Sequence, residues 1–292
     1  MAKKNLIIGG CTNYGINQLK PWVLSVLETA PEADKVMCIG NASSETRTWL
    51  QDCGFKLVDM PNLNIPVHVL RFLSIHNFLK DNYLNYNYVV TTDVKDVIFQ
   101  SNPFEFLNYA NEYPVKLIVG SESIAYQDEP WGDDNLKSAY GPYVYEMYKD
   151  KIIYNVGTIG GQSGYVKDLI FNIFTNAINR PIPIVDQAVF NVLIHTVPLR
   201  YAVFFADQKD GWAVQAGTTA DPSKIEYFRP NLVEAEPIFE DGVVKTGEDG
   251  FNCVKGTPFV IVHQYDRVPE WKEYFYNKYG VEDESQYFTY KI

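Results

Sequence analysis

Two aspartates, Asp93 and Asp96, carry the clearest chemical signal in the sequence. They interrupt the run Tyr88-Val-Val-Thr-Thr-Asp93-Val-Lys-Asp96-Val-Ile-Phe99, where one apolar segment ends and another begins. The valines favour a strand that stops on Asp93, at the sheet edge where open α/β folds bind ligands. Two carboxylates at such a junction suit one hard divalent cation, which also takes water and substrate phosphates. The alternative is that both residues cap a turn or a short helix.

Alternating apolar runs predict the elements that position these aspartates. The pattern β-α-β-α-β-α-β over the first hundred residues indicates an α/β fold with a Rossmann-like, mixed and mostly parallel sheet flanked by helices. Strands are predicted over 6–10, 35–40, 55–59, 88–92, 115–120 and 259–267, and helices over 17–29, 44–53, 67–82, from 186 and from about 270. An irregular segment is expected around 205–257.

Composition narrows the classes of function. The formal net charge of -11 over 292 residues argues against a nucleic-acid partner. The four cysteines, Cys11, Cys38, Cys53 and Cys253, form no CxxC pair, which predicts reduced thiols rather than a zinc site. No apolar run is long enough for a signal peptide or a transmembrane segment, so no membrane insertion and a cytoplasmic location are expected.

The turn after the first strand is a candidate nucleotide site. It contains Gly10, Cys11, Thr12, Asn13 and Tyr14. Its glycine would let the backbone approach a ligand, Tyr14 would stack on a base, and Thr12 or Asn13 would bond to the edge of that base. The turn matches neither a dinucleotide fingerprint nor a P-loop. The alternative is a tight turn without a ligand.

A late histidine is a candidate third metal ligand. His263 ends an apolar run, and imidazole suits manganese as well as zinc. Arg267, just beyond it, would hold a diphosphate oxygen. The alternatives are a hydrogen-bonded structural histidine and a surface salt bridge between Asp266 and Arg267.

Two further blocks carry residues that bond sugar hydroxyls. Asn155 with Gly157, and Asp186 with Gln187, are both expected at the starts of helices, and Asp186 is also a candidate base for an acceptor hydroxyl. The alternative for both blocks is N-capping. Glu122 and the acidic, aromatic segment 128–134 add carboxylates, although such a segment is more often a solvated loop.

In this order the blocks resemble nucleotide-sugar-dependent glycosyltransferases of the GT-A fold, and the resemblance extends from Asn5 to about Arg267. The motifs that carry it are Gly10–Tyr14, Asp93-Val-Lys-Asp96-Val-Ile-Phe99, Asn155-Val-Gly157, Asp186-Gln187 and His263. The family pattern is Asp-x-Asp, whereas this chain has Asp-x-x-Asp. Because no membrane anchor is expected, the resemblance would fit a soluble enzyme of bacterial or large-DNA-virus type better than a Golgi enzyme.

The resemblance implies a metal-dependent glycosyltransferase that moves a sugar from a UDP-sugar donor, such as UDP-xylose, UDP-glucose or UDP-galactose, to a hydroxyl of a glycan acceptor. Mn²⁺ or Mg²⁺ would bind Asp93, Asp96 and His263. The nucleotide would contact Gly10–Tyr14, Arg71, Thr92 and Asp93, with Arg267 on the phosphates. The donor sugar and acceptor would contact Glu122, Asn155, Gly157, Asp186 and Gln187, with Asp186 catalytic.

The implied layout is a single domain over 1–292. It has a nucleotide-binding half (1–100), a half for the donor sugar and acceptor (101–267) and a C-terminal tail (268–292). The alternatives are a sugar-nucleotidyltransferase, which the absence of an arginine in the first loop disfavours, a non-catalytic carbohydrate-binding protein, and a glycosidase with two carboxylates.

Overall fold

The computed structural model describes residues 3–109, 115–247 and 255–282. The strands are β1 (Lys4–Cys11), β2 (Asp34–Ile39), β3 (Lys56–Asp59), β4 (Tyr86–Thr92), β5 (Val97–Phe99), β6 (Leu117–Ala125), β7 (Ile152–Gln162), β8 (Val203–Ala206), β9 (Ala213–Gln215), β10 (Ile238–Glu240), β11 (Val243–Lys245) and β12 (Ile261–His263). The α-helices are α1 (Ile16–Thr29), α2 (Ser44–Asp52), α3 (Val67–Asn82), α4 (Pro103–Tyr109), α5 (Pro130–Tyr148), α6 (Ser163–Ala177), α7 (Asp186–His195), α8 (Ala216–Thr219), α9 (Ile225–Phe228) and α10 (Pro269–Tyr279).

The central sheet has seven strands in the order β3-β2-β1-β4-β7-β6-β8. Strand β7 is antiparallel to both of its neighbours, and every other pairing in the sheet is parallel. The predicted α/β class, a Rossmann-like, mixed and mostly parallel sheet flanked by helices, is therefore confirmed.

The side chains of strand β1 pack against helices on both faces of the sheet. Successive side chains of a strand point to opposite faces. Leu6 and Ile8 belong to one hydrophobic core with residues of α3, α6 and α7, whereas Ile7 packs in a second core with Trp22 of α1. All three β1 side chains are fully buried, as expected of a parallel strand between two layers of helices.

The helices next to the predicted site begin and end close to the positions read from the sequence. Helix α3 spans the predicted residues 67–82. Helix α2 begins after Ser43, whose hydroxyl accepts a hydrogen bond from the Thr46 amide, so the cap lies one residue earlier than the predicted start. Glycines at the end of β1 let α3 approach closely, because a Cβ on Gly10 would lie 3.0 Å from the Cβ of Arg71.

Two local predictions were wrong. Asn155 and Gly157 lie inside β7, where pairing with β4 and β6 outweighs the helix-start signal. Most of the segment 128–134 is helical rather than a loop, because Pro130 stands at the first position of α5 and the Glu129 carboxylate accepts from the Gly132 amide. Asp186 does begin a helix, as predicted, but makes no capping hydrogen bond.

A second, three-stranded sheet explains how distant residues reach the aspartates. Its order is β5-β12-β9. In this sheet His263 lies opposite Val97 of β5 on one side and Gln215 of β9 on the other. The Gln264 amide donates to the Asp96 carbonyl oxygen over 2.7 Å, which ties the end of β12 to the aspartate turn. Part of the segment expected to be irregular therefore builds the site.

Three of the four cysteines lie in the described residues. Cys11 and Cys38 are buried and Cys53 is half-buried, all as free thiols. Burial raises the pKa of Cys11 and Cys38 to about 12, which keeps both thiols protonated and unreactive. Cys253 and the last ten residues of the expected C-terminal tail, 283–292, lie outside the described residues. No helix in the described part of the chain has the length and apolarity required to cross a membrane.

Candidate metal centre and adjoining clefts

Asp93, Asp96 and His263 form a compact group of potential metal ligands. One ligand atom from each residue lies within 4.8 Å of the other two. His263 Nε2 is 3.6 Å from Asp93 Oδ2 and 3.6 Å from Asp96 Oδ1. These separations exceed a hydrogen bond, but they bracket the space of a shared cation, since neighbouring ligands of an octahedral ion are about 3 Å apart.

The protonation state of His263 suits metal binding. Its Nδ1 lies 2.7 Å from Gln215 Oε1, and Gln215 Nε2 donates in turn to the Thr158 hydroxyl at 3.1 Å. An amide oxygen can only accept, so the ring proton sits on Nδ1 and the Nε2 lone pair faces the aspartates. Burial lowers the pKa of His263 against the opposing effect of the Asp96 charge, which favours the neutral imidazole that a metal requires.

The donor set fits a divalent cation that accepts both oxygen and nitrogen. Two carboxylates and one imidazole, with no thiolate, match manganese well, while magnesium would rely mainly on the carboxylates. Among the described residues this is the one group of three or more such ligands. The cluster can therefore hold a metal ion, and its chemistry does not single out one ion.

Arg71 joins the metal group to Asp186. One guanidinium nitrogen, Nη1, pairs with Asp93 Oδ1, and the other, Nη2, lies 3.0 Å from Asp186 Oδ2. Its Nε is buried and has no hydrogen-bond partner among the described residues. A buried donor without a partner is uncommon and costly in a folded protein, so Arg71 Nε is left unsatisfied in this conformation.

Two clefts meet at this cluster. The larger has a volume of about 550 Å³ and the smaller about 320 Å³. Both clefts are lined by five residues at or near the candidate metal ligands: His68, Arg71, Asp93, Asp96 and Arg267. The smaller cleft continues along the turn after β1, and the larger continues past β6, β7 and the start of α7.

Most predicted site residues line one of these clefts. The smaller is lined by Gly10, Cys11, Thr12, Tyr14, Arg71, Asp93, Asp96 and Arg267, and the larger by Arg71, Asp93, Asp96, Glu122, Asn155, Asp186, Gln187, His263 and Arg267. The exceptions are Asn13, Thr92 and Gly157. Asn13 bonds to Asn41, and Thr92 is buried beneath the cleft, where its hydroxyl accepts from Trp22 Nε1 at 2.8 Å.

Gly157 lies directly behind the metal group. A Cβ added to it would stand 2.9 Å from both Asn155 Oδ1 and Asp93 Oδ2. The Asp93 amide also donates to the Gly157 carbonyl oxygen over 3.0 Å. Strand β7 therefore sets the position of the Asp93 carboxylate, and only a glycine leaves room for it.

Glu122 is the most unusual carboxylate of the larger cleft. Its Oε1 accepts from Asn155 Nδ2 at 2.7 Å and from Gln187 Nε2 at 2.9 Å. Burial raises the pKa of Glu122 to about 7, although the hydrogen bond from Asn155 opposes that shift. Near neutral pH this carboxyl group therefore carries a charge that is costly to bury.

Several residues of the clefts gave no recognisable signal in the sequence. His68, Lys95, Gln215, Thr218 and Lys224 were not predicted, and all but Gln215 line a cleft. Gln215 belongs to a three-residue strand and contacts the metal group through His263. The exposed cations Lys95 and Arg267 border the metal group and add positive charge to an acidic chain.

No family model matches the sequence, and no curated protein matches it either.

Proposed function

We propose that this chain is a metal-dependent glycosyltransferase of the GT-A type that uses a UDP-sugar donor and a glycan hydroxyl as acceptor. The observation that carries the proposal is the position of the Asp93, Asp96 and His263 group at the junction of two clefts. One cleft ends at the turn after β1, which suits a nucleoside. The other holds amides and carboxylates, which suit sugar hydroxyls.

The diphosphate would lie between the two clefts. A bound Mn²⁺ or Mg²⁺ supplies Lewis-acid stabilisation of the charge that develops on the leaving UDP. The chain contributes Arg71, Lys95 and Arg267 as hydrogen-bond donors around the same point. The buried Nε of Arg71 is unpaired, and it would gain an acceptor if the side chain moved toward a diphosphate. Tyr14 and Thr12 would contact the nucleoside at the far end of the smaller cleft.

Asp186 would take part in the reaction through its pairing with Arg71. Without a donor, the Asp186 carboxylate is neutralised by the Arg71 guanidinium. A diphosphate that drew Arg71 toward itself would leave Asp186 free in the larger cleft. In an inverting reaction Asp186 would then accept the proton of the acceptor hydroxyl, and in a retaining reaction it would orient the substrates.

The acceptor would enter from the open side of the larger cleft. Trp131, at the start of α5, lines this cleft and is 49% exposed. An exposed aromatic ring beside polar groups is a suitable platform for a sugar ring. A glycan acceptor would lie over Trp131 with one hydroxyl directed toward Asp186.

Thermal unfolding with UDP, UDP-glucose, UDP-galactose and UDP-xylose, each with and without Mn²⁺, tests the proposal. A ligand that binds only the folded chain stabilises it by about 2.7 kcal/mol when present at about 100 times its Kd. We expect a higher unfolding midpoint with UDP or a UDP-sugar only when Mn²⁺ or Mg²⁺ is present. CDP and GDP, which keep the diphosphate and change only the base, serve as matched nucleotide controls.

The alternatives predict different outcomes. Release of pyrophosphate from UTP and a sugar phosphate would indicate a sugar-nucleotidyltransferase instead. If no nucleotide raises the midpoint with either metal while an oligosaccharide does, the chain is a carbohydrate-binding protein and the transferase proposal is wrong.

A further inference from the structure

Glu122 receives two side-chain amides on a single oxygen atom. Asn155 Nδ2 and Gln187 Nε2 both donate to Oε1, from β7 and α7 respectively. Glu122 itself is buried at the inner end of the larger cleft. This shared carboxylate therefore links β7 to α7, beside the two hydrogen bonds that Asn191 of α7 makes with the Tyr154 backbone of β7.

Oε1 of Glu122 is the acceptor in both hydrogen bonds. Each amide must therefore turn its nitrogen toward Glu122 and its oxygen away. For Asn155 the oxygen accepts from the Gly157 amide at 2.7 Å. The Gln187 oxygen accepts no hydrogen bond from the described residues. It is not one of their buried atoms without a partner, so part of its surface is accessible, and its side chain lines the larger cleft.

Resting on the proposed function, we infer that Glu122 is a positioning residue that fixes the Gln187 amide so that its carbonyl oxygen meets a hydroxyl of the donor sugar. The donor sugar enters the larger cleft from the metal group, and Asn155 connects Glu122 to Gly157 directly behind Asp93. The same carboxylate therefore orients the sugar contact, while pairing with β4 and β6 holds the strand that lies behind the metal ligand. Without Glu122 the Gln187 amide rotates freely and presents nitrogen as often as oxygen.

Two substitutions of similar volume distinguish an effect on the orientation of the Gln187 amide from an effect of side-chain size at position 122. Glu122→Gln keeps a carbonyl oxygen that can accept from both amides, whereas Glu122→Leu removes every acceptor. We expect Glu122→Leu to weaken binding of the preferred UDP-sugar about tenfold, since the bound state loses the hydrogen bond between Gln187 and the sugar hydroxyl. Binding of UDP, which has no sugar, stays within about twofold in both variants, and Glu122→Gln loses less affinity for the UDP-sugar than Glu122→Leu does.

The readout is the ratio of the Kd values for UDP-sugar and UDP, measured by isothermal titration with Mn²⁺. General loosening of the fold moves both Kd values together and leaves the ratio unchanged. If Glu122→Leu does not fold, Gln187→Leu removes the presented oxygen on the surface of the cleft and gives the same selective loss. A wild-type ratio in Glu122→Leu or in Gln187→Leu overturns this inference alone. A wild-type chain that binds no UDP with Mn²⁺ overturns the proposed function together with it.

Discussion

The candidate metal centre depends on how each ligand is held. His263 Nε2 faces Asp93 and Asp96 because its Nδ1 bonds to Gln215. Orienting partners of this kind affect metal affinity nearly as strongly as the ligands themselves. The extra residue in the Asp-x-x-Asp motif does not separate the carboxylates, since one oxygen of each lies within 4.8 Å of the other and of the imidazole.

Replacing Asp96 by Asn tests the centre directly. The amide keeps the shape of the side chain but removes one of the two charges that would bind the cation. We expect the affinity for Mn²⁺ to fall more than about 100-fold. The unfolding midpoint without metal is expected to stay the same or rise, because the repulsion between Asp93 and Asp96 is relieved.

Asp59→Asn is the matched control for that measurement. Asp59 ends β3 on the same edge of the sheet, is largely exposed and pairs with Arg47 outside both clefts. Titration with Mn²⁺ compares the metal affinity of the wild type, Asp96→Asn and Asp59→Asn. Equal Mn²⁺ affinity in Asp96→Asn and in the control would remove Asp96 from the metal site.

At the scale of elements, β7 connects the two halves of the site. It is the antiparallel strand of the central sheet, and it carries Asn155 and Gly157 beside Asp93, the residue that follows β4. Its neighbour β6 continues into Glu122. A small shift of β7 would therefore move a metal ligand and a sugar contact together.

Gly157→Ala is expected to disturb both functions while preserving the fold. The new methyl group would stand 2.9 Å from Asp93 Oδ2 and from Asn155 Oδ1, so both side chains must move. We expect about tenfold weaker Mn²⁺ binding and a comparable loss of UDP-sugar affinity. Isothermal titration measures both.

The control for Gly157→Ala is Gly164→Ala in α6. A Cβ at Gly164 has its nearest neighbour 3.9 Å away in the Tyr83 ring, and alanine favours a helix more than glycine does. This variant should bind Mn²⁺ like the wild type. If Gly157→Ala does the same, β7 does not determine the position of Asp93.

The sequence predicted the elements with long, regular apolar patterns and the residues next to them. Helix α3 has the predicted bounds, and Asp93 follows a strand as expected. The three-residue strands β5, β9 and β12 carry no periodic pattern, so their pairing, and with it the contact of Gln215 with His263, was not predictable. Glycine and asparagine suggested a helix start at 155–157, where tertiary pairing imposes a strand instead.

At the scale of the whole molecule, folding buries several ionisable groups that line the clefts. The chain is acidic, with a net charge of -11. Most acidic residues are solvated, but Glu122 lies in the protein interior with the Glu129 carboxylate and the Lys224 ammonium as its charged neighbours. Tyr126, whose pKa is raised mainly by burial, also faces it. A site of this kind reduces the stability of the fold, as is common where binding groups are held ready.

The pH dependence of stability should reveal this cost. Burial raises the pKa of Glu122 from 4.5 to about 7. A folded pKa above the unfolded value means that the folded chain binds the proton more tightly. The penalty for the ionised carboxylate is therefore absent below about pH 4.5, grows as the pH rises, and is complete above about pH 7. Over this window Glu122 would lower the free energy of unfolding by up to about 3 kcal/mol.

Glu122→Gln isolates that contribution from the other groups that titrate in the same range. Histidines with a lowered pKa, such as His195 and His76, act in the opposite direction, because their protonation at a pH below the ordinary histidine pKa destabilises the folded chain. These contributions are common to both proteins and cancel in the difference. Urea unfolding of metal-free protein at pH 5 and pH 8 should therefore show the variant gaining stability relative to the wild type at the higher pH. Parallel stability curves for the two proteins across this range would mean that Glu122 does not hold its proton in the folded state. Its two amide partners would then bond to an ordinary, fully ionised carboxylate at every pH tested.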